Sequence, residues 1–252
     1  MLKKRFIAVL IINGQNVVQS VRFKHTNAIH YNAVHAIECF NKWAVDEIVI
    51  LNVSREKSSK FEFLKTIREI CKKCHVPVSV GGWIDDPEYA KDLFFCGADK
   101  IVLNTAFHTD PELCINLSTR FGKQSIVGSI DIKKTDKKTH AWINRGTKNT
   151  LKDPETWAKN IEGLGAGEIF FNSIDHDGAR RGYDTNTLHL ICKAVSIPVI
   201  AFGGVFNWQH LVEGFEYGAD AVAVANQLHY IEHSARKAKK FLVENGINVR
   251  VA

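Results

Sequence analysis

Only five prolines interrupt the 252 residues, and no Pro/Gly/Ser-rich or low-complexity run divides them, so nothing in the sequence reads as a linker. A chain of this length with 45% hydrophobic residues can bury one large core, and a single domain over 1–252 is the expectation. No stretch approaches the roughly 18 consecutive apolar residues of a membrane span, which excludes a helical span and leads us to expect a soluble, cytoplasmic protein. The opening MLKKRFIAVLII has the basic residues and apolar run of a signal peptide, yet Asn13, Gly14 and Gln15 follow with no small-residue cleavage site. It reads instead as a first strand.

A second cysteine pair is missing too. Cys39, Cys71, Cys74, Cys96, Cys114 and Cys192 are scattered through apolar segments, so reduced, mostly buried thiols are expected. Cys71 and Cys74 form a CKKC, but no second pair accompanies it and FLKTIREICKKCHVP has helical spacing. A structural zinc site wants four ligands, so these read as helix cysteines, and neither a metal nor a cofactor is expected. The formal charge of +6 is modest and dispersed; with no Arg/Lys stripe among exposed aromatics it excludes nucleic acid and permits anionic ligands. No nucleophilic cysteine sits in a strand-to-helix elbow.

What the sequence does have is an echo. GADKIVLNT at 97–105 returns as GADAVAVAN at 218–226, VSVGGWI at 78–84 as VIAFGGV at 199–205, and VDEIVIL at 45–51 as AGEIFFN at 166–172. The offset is 121 or 122 residues, close to half the chain, and RFIAVLII likewise has a counterpart in QSIVGSID. Each half carries four short β-branched runs, beginning near 6, 47, 77 and 100, then 125, 168, 198 and 221. Amphipathic stretches such as PEYAKDLFFCG and NWQHLVEGFEYG lie between them, each closed by a Gly suited to a helix C-cap. Alternating strands and helices imply parallel pairing. Eight such units close into a (β/α)8 barrel, built from half-barrels at about 1–121 and 122–252. An open doubly wound sheet is the alternative, but its Gly-x-Gly-x-x-Gly is missing.

In such a barrel the chemistry sits at the C-terminal ends of the strands. Strand 3 ends in Gly81-Gly82 and strand 7 in Gly203-Gly204; strand 4 ends in Asn104-Thr105 and strand 8 in Ala225-Asn226. Amides freed by glycine beside a helix start make an anion cradle, so two phosphate sites are expected across the mouth, bridged by a phosphorylated small molecule. The plainer reading is that paired glycines only make tight turns.

The N-terminal MLKKR, the GADK, the GAGEI, the NSIDHDGARRGYD at 172–184 and the closing NGINVR together resemble the cyclase subunit family of imidazole glycerol phosphate synthase, over essentially the whole chain. The resemblance implies a lyase-type barrel of the histidine pathway that takes ammonia from a separate glutaminase docked on its N-terminal face. It implies that Arg5, Glu47, Lys100 and Glu168 form a charged ammonia gate and that Asp99 contacts the glutaminase. Such ions can also simply pair and cap a core. Asp99, being an exposed charge, is expected to tolerate reversal to Lys with little change in the thermal melt. It also implies that Asp131 on strand 5 is one of two acid/base carboxylates, and that Asp177-Gly178 after strand 6 belongs to the substrate site.

The departures are as specific. Ile11 stands where the resemblance places the second carboxylate, Gln19 where it places a lysine, Asn52 an aspartate, Trp83 a third glycine and Phe202 a serine. Two aromatics thus stand where backbone should meet phosphate. The LII-type first strand, VRFK at 21–24 and GTKNT followed by DPETWAK resemble a divergent branch acting in acetamidino modification of bacterial surface sugars. That implies an ammonia conduit serving a third, ATP-dependent sugar amidotransferase. Three readings stay open here: the conduit, a working cyclase with altered residues, and a barrel binding a phosphorylated ligand for another purpose.

Overall fold

The computed structural model describes residues 3–56, 59–136, 138–229 and 234–250. The side chain of Cys39 lies outside them. In chain order the elements are β1 (Arg5–Asn13), β2 (Asn16–Val21), β3 (Lys24–His30), α1 (Ala33–Trp43), β4 (Glu47–Asn52), α2 (Ser59–Lys73), β5 (Val78–Gly81), α3 (Pro87–Phe95), β6 (Lys100–Leu103), α4 (Ala106–Thr109) and α5 (Pro111–Phe121). The second half holds β7 (Ile126–Thr135), β8 (Lys138–Ile143), β9 (Lys148–Asn149), α6 (Pro154–Gly163), β10 (Glu168–Ser173), α7 (Thr185–Ala194), β11 (Val199–Phe202), α8 (Gln209–Glu216), β12 (Ala221–Val224) and α9 (Ser234–Glu244). No described helix is long and apolar enough to cross a membrane.

Eight of these strands pair in parallel, in the order β1, β4, β5, β6, β7, β10, β11, β12, and β12 returns to β1. The sheet is closed, a (β/α)8 barrel, and the doubly wound alternative is excluded. Followed once around, the registers return to β1 displaced by about eight residues, the shear of this fold. Alternation along each strand then divides the core in two. Phe6, Ala8, Leu10 and Ile12 of β1 face the helices, while Ile7, Val9 and Ile11 face the lumen with Val49, Val102, Val127, Phe170, Ile200 and Phe202.

The few prolines all sit at boundaries. Pro87, Pro111 and Pro154 each open a helix behind an aspartate whose carboxylate accepts a first-turn amide: Asp86 from Tyr89, Asp110 from Leu113 and Asp153 from Thr156. Pro at the first helical position loses no hydrogen bond, and the aspartate caps amides that have no partner in the helix.

The repeated Gly-Ala-Asp has a structural answer. Gly97 and Gly218 end their helices at φ +105° and +107°, and a Cβ there would meet Cys71 and Cys192, themselves equivalent residues of the two halves. Ala98 and Ala219 are buried, and each aspartate clasps the start of the preceding strand. Asp99 donates its N–H to the Val78 carbonyl at 2.8 Å and accepts the Val78 N–H on its carboxylate at 2.8 Å; Asp220 does the same with Val199, at 2.9 and 3.1 Å. The expectation that Asp99 can be reversed without effect on stability is therefore corrected. Its charge is exposed but its oxygen satisfies a backbone amide, and a lysine offers no acceptor.

Two hairpins were not legible as strands. β2–β3 rises from the end of β1, and β7 runs on past the lumen into an antiparallel ribbon with β8 and β9. Both stand on the C-terminal rim.

Candidate functional site

At the N-terminal base, β1, β4, β6 and β10 bring Arg5, Glu47, Lys100 and Glu168 into one ring of alternating charge. Arg5 donates Nη1 to Glu47 Oε1 at 2.7 Å and Nη2 to Glu168; Lys100 Nζ reaches Glu168 Oε2 at 2.9 Å and Glu47 Oε2 at 3.4 Å. Each acid thus holds both cations. The glutamates are buried and the cations only partly so. Above it the lumen is lined by aliphatic side chains and by Phe170 and Phe202, stacked with centroids 5.1 Å apart. Phe202 therefore fills the lumen with its ring and floors the cleft at strand 7.

At the mouth, Asp131 ends the inner row of the fifth barrel strand. Asn104 donates Nδ2 to its Oδ2 at 3.1 Å, and Asn172 hydrogen-bonds the same carboxylate from the neighbouring strand. Burial pushes the Asp131 carboxyl up to about 7, against the hydrogen bond from Asn172 and with a smaller push from the charge of Asp177. Such a group exchanges protons near neutrality. Ile11, on the strand diametrically across the lumen, is 6% exposed and has no proton to exchange.

The seventh and eighth strands end in a cleft bordered by Gly178, Arg180, Gly203, Gly204, Ala225 and Asn226. Gly203 and Gly204 sit at φ +96° and +90°, and a Cβ on Gly204 would reach the Gly182 carbonyl at 2.2 Å, so no other residue fits that approach. Asp177, also at this cleft, does something the sequence did not announce. Its carboxylate accepts Ser20 Oγ–H at 2.5 Å and the Phe23 N–H at 3.1 Å, and its carbonyl accepts the Arg22 N–H at 3.0 Å. Asn226 donates Nδ2 to the Ser20 carbonyl at 3.0 Å. These two residues latch the β2–β3 hairpin over the mouth, and burial raises the Asp177 pKa.

The opposite end differs. Gly81 and Gly82 press on neighbouring strands: their Cβ atoms would meet Val102 at 2.9 Å and the Asn52 carbonyl at 2.6 Å. Thr105 accepts the Asn144 N–H at 2.9 Å and donates to Asn104 Oδ1 at 3.3 Å. Asn104-Thr105 opens the helix α4 and Ala225-Asn226 the 3-10 turn Asn226–His229, so the helix start expected beside each cradle is only four residues long in both halves.

Sequence reasoning missed Asn172, Trp142 and Arg180, which tertiary placement alone identifies. Among the described residues five buried side-chain polar atoms have no protein partner, and four of them, Asn52 Nδ2, Trp142 Nε1, Asn172 Oδ1 and Asn226 Oδ1, lie on residues at the C-terminal end of the barrel. Native structures leave few such atoms, and here they gather at one end of the barrel. Among the described residues, no group of three or more His, Cys, Asp or Glu is placed to hold a metal ion.

A closed parallel barrel with a carboxylate and a cradle at its C-terminal mouth defines a small-molecule-handling (β/α)8 protein of the ligand-at-the-strand-ends kind. Comparison with known proteins narrows the class. The family model described as histidine biosynthesis protein matches residues 6–234. Over 252 residues, covering all of both chains, the sequence is 38% identical to the imidazole glycerol phosphate synthase subunit HisF of Chloroherpeton thalassium. It is 37% identical, again over both whole chains, to the subunits of that name from Chlorobaculum tepidum and Pelodictyon phaeoclathratiforme. The chain belongs to the histidine biosynthesis protein family, among HisF-type barrels.

Proposed function

We propose that this chain is an ammonia-accepting barrel subunit: a glutaminase docks on its N-terminal face, ammonia passes the ring of Arg5, Glu47, Lys100 and Glu168, and it rises through the lumen to Asp131. The ring carries the reading. Two acids and two bases are a costly way to close a hole that Leu or Val would fill, because desolvating four charges is repaid only by good pairing. Above it, an apolar lumen favours neutral ammonia over ammonium. Asp177, Gly178, Gly203, Gly204, Ala225 and Asn226 hold a phosphorylated ligand at the mouth.

The relatives' names support the cyclase of imidazole glycerol phosphate synthase in histidine biosynthesis as the destination of that ammonia. Asp131, with a pKa near neutrality, is then the proton-transfer group for cyclisation. One observation favours a second destination. Ile11 faces Asp131 across the lumen where cyclisation calls for a second carboxylate, so the barrel would hand ammonia on, as in amidation of a surface sugar by an ATP-dependent amidotransferase. None of the relatives named above has a sugar-modifying name, and this reading stands on the site alone. A cytoplasmic location goes with either destination.

One assay separates them. The purified barrel is given ammonium salts, so that no partner is needed, and the ribonucleotide with two separate phosphates that the resemblance implies as the cyclase substrate. Formation of imidazole glycerol phosphate establishes the histidine-pathway cyclase; no product from a folded barrel that still binds its glutaminase establishes the conduit.

A further inference from the structure

The formal excess of +6, expected to be dispersed, is gathered in one element. Between Lys133 and Lys152 the sequence has seven Lys and Arg against one carboxylate, Asp136, a net +6 that leaves the rest of the chain neutral. This is the ribbon of β7, β8 and β9 on the C-terminal rim. Among the described residues Lys133, Lys134, Lys138, Arg145, Lys148 and Lys152 form no ion pair, whereas Lys60, Lys65, Lys72, Lys73 and Lys91 on the helices are all paired. The acids that reach the ribbon are spent on backbone: Asp175 accepts the Lys134 N–H at 2.9 Å, and Asp153 caps α6. Three of the cations lie over indoles instead, Lys133 on Trp142, Arg145 on Trp83 and Lys152 on Trp157, at 5.0, 4.9 and 4.3 Å from the ring centroids. Stacking places a cation without neutralising it and leaves its N–H donors for an anion.

Beside them a leucine is held where leucine is costly. Thr150 donates its N–H to the Ala141 carbonyl at 3.0 Å, and Ala141 donates its own to the Lys152 carbonyl at 2.9 Å, so Leu151 is looped out between two residues that share one partner. It takes φ +60°, a backbone that suits glycine or asparagine, and its side chain is 76% exposed. The Asn149 side chain fixes the loop by accepting the Leu151 N–H at 2.8 Å. Lys148 and Lys152 flank it in the chain and lie close enough together that both charges, after burial, lower the His108 pKa. A bulky side chain at positive φ costs energy, and exposing its apolar surface to water returns none.

We propose that the ribbon is a docking surface for the acidic face of a partner protein, with Leu151 as the apolar anchor in a pocket of that partner and Lys148 and Lys152 beside it. Charge complementarity selects the occupant: unpaired cations speed the encounter with an acidic face, and a buried apolar residue holds the complex. Nucleic acid fits less well, because the indole faces on which bases would stack are covered by the protein's own cations and a phosphate backbone has no use for an exposed leucine. The surface lies at the opposite end of the barrel from the face given to the glutaminase, so one barrel holds both partners. It stands independently of the ammonia route; where that route operates, the second partner sits beside its exit.

Zero-length carbodiimide coupling, which joins a lysine amine to a carboxylate in direct contact, tests it on the barrel with its glutaminase in extracts of the cells that make them. The expected result is a bond from Lys148 or Lys152 to an Asp or Glu of one protein other than the glutaminase, falling about tenfold in Leu151→Gly. That variant should melt no lower than wild type, because glycine relaxes the left-handed backbone. No coupling at either lysine, coupling undiminished in Leu151→Gly, or a variant that melts well below wild type each overturns the proposal. Ribbon lysines that an amine-acylating reagent reaches only after nuclease treatment make RNA the occupant and overturn it as well.

Discussion

Asp131 holds a proton that its unfolded counterpart has lost, and this ties the chemistry of the mouth to stability. Its folded pKa of about 7 lies above the ordinary 3.8, so the folded chain binds the proton more tightly and stability falls as pH rises between those values. Asp131→Asn should remove that slope and stabilise the protein at pH 8, by an amount on the order of 4 kcal/mol. Denaturant titrations at pH 5 and pH 8 check it; a variant no more stable than wild type at pH 8 means the carboxylate is solvated. His229 has the opposite sign. Burial, then the neighbouring His30 at 3.1 Å, pulls its pKa down from 6.5 to about 4, so its contribution is lost as pH falls through that window. His229→Gln should flatten the fall in melting temperature between pH 6.5 and 4. At Asp99, the asparagine variant keeps an acceptor for the Val78 amide and should melt like wild type. Asp99→Ala should instead destabilise by ~1–2 kcal/mol, a few degrees for a chain of this size.

Elements show which parts of the molecule were legible in the sequence. All eight barrel strands could be read, because β-branched runs repeat at a fixed spacing and Gly-Ala-Asp punctuates each half. The two rim hairpins could not. KKT at the end of β7 and KTH at the start of β8 are charged and have no apolar run, and their strand character comes from pairing with each other, Lys133 opposite His140 and Lys134 opposite Thr139. For the same reason the amide partners of Asp131, the Phe170–Phe202 stack and the contact between Trp83 and Arg145 were hidden: each joins strands or loops far apart in the chain. Trp83 itself was legible as a departure, but not what it touches. Gly128 shows how tightly helices seat on the sheet, since a Cβ there would lie 2.2 Å from a methyl of Ile161 on α6. Gly128→Ala should cost about 1–3 kcal/mol through overpacking, measured by chemical denaturation. Asp177→Ala should release the β2–β3 hairpin, and limited proteolysis within residues 16–30 at a rate well above wild type is the sign. Cleavage unchanged from wild type would mean that Asn226 and the ribbon suffice to hold it.

At the scale of the whole molecule, the two ends of one barrel are given different work. The base is a closed ring of four ions, the lumen is apolar, and the mouth gathers a buried carboxylate with a raised pKa, a glycine-lined cleft and polar atoms without a protein partner. That polarity is the central claim, and it holds whether the ammonia ends in an imidazole ring or on a sugar. Hydrogen–deuterium exchange of the barrel with and without its glutaminase tests it most directly. We predict protection at the strand starts, around Arg5, Glu47, Asp99, Lys100 and Glu168, with the rim hairpins unchanged. Protection at the rim, around residues 16–30 and 133–149, or nowhere, would contradict the account.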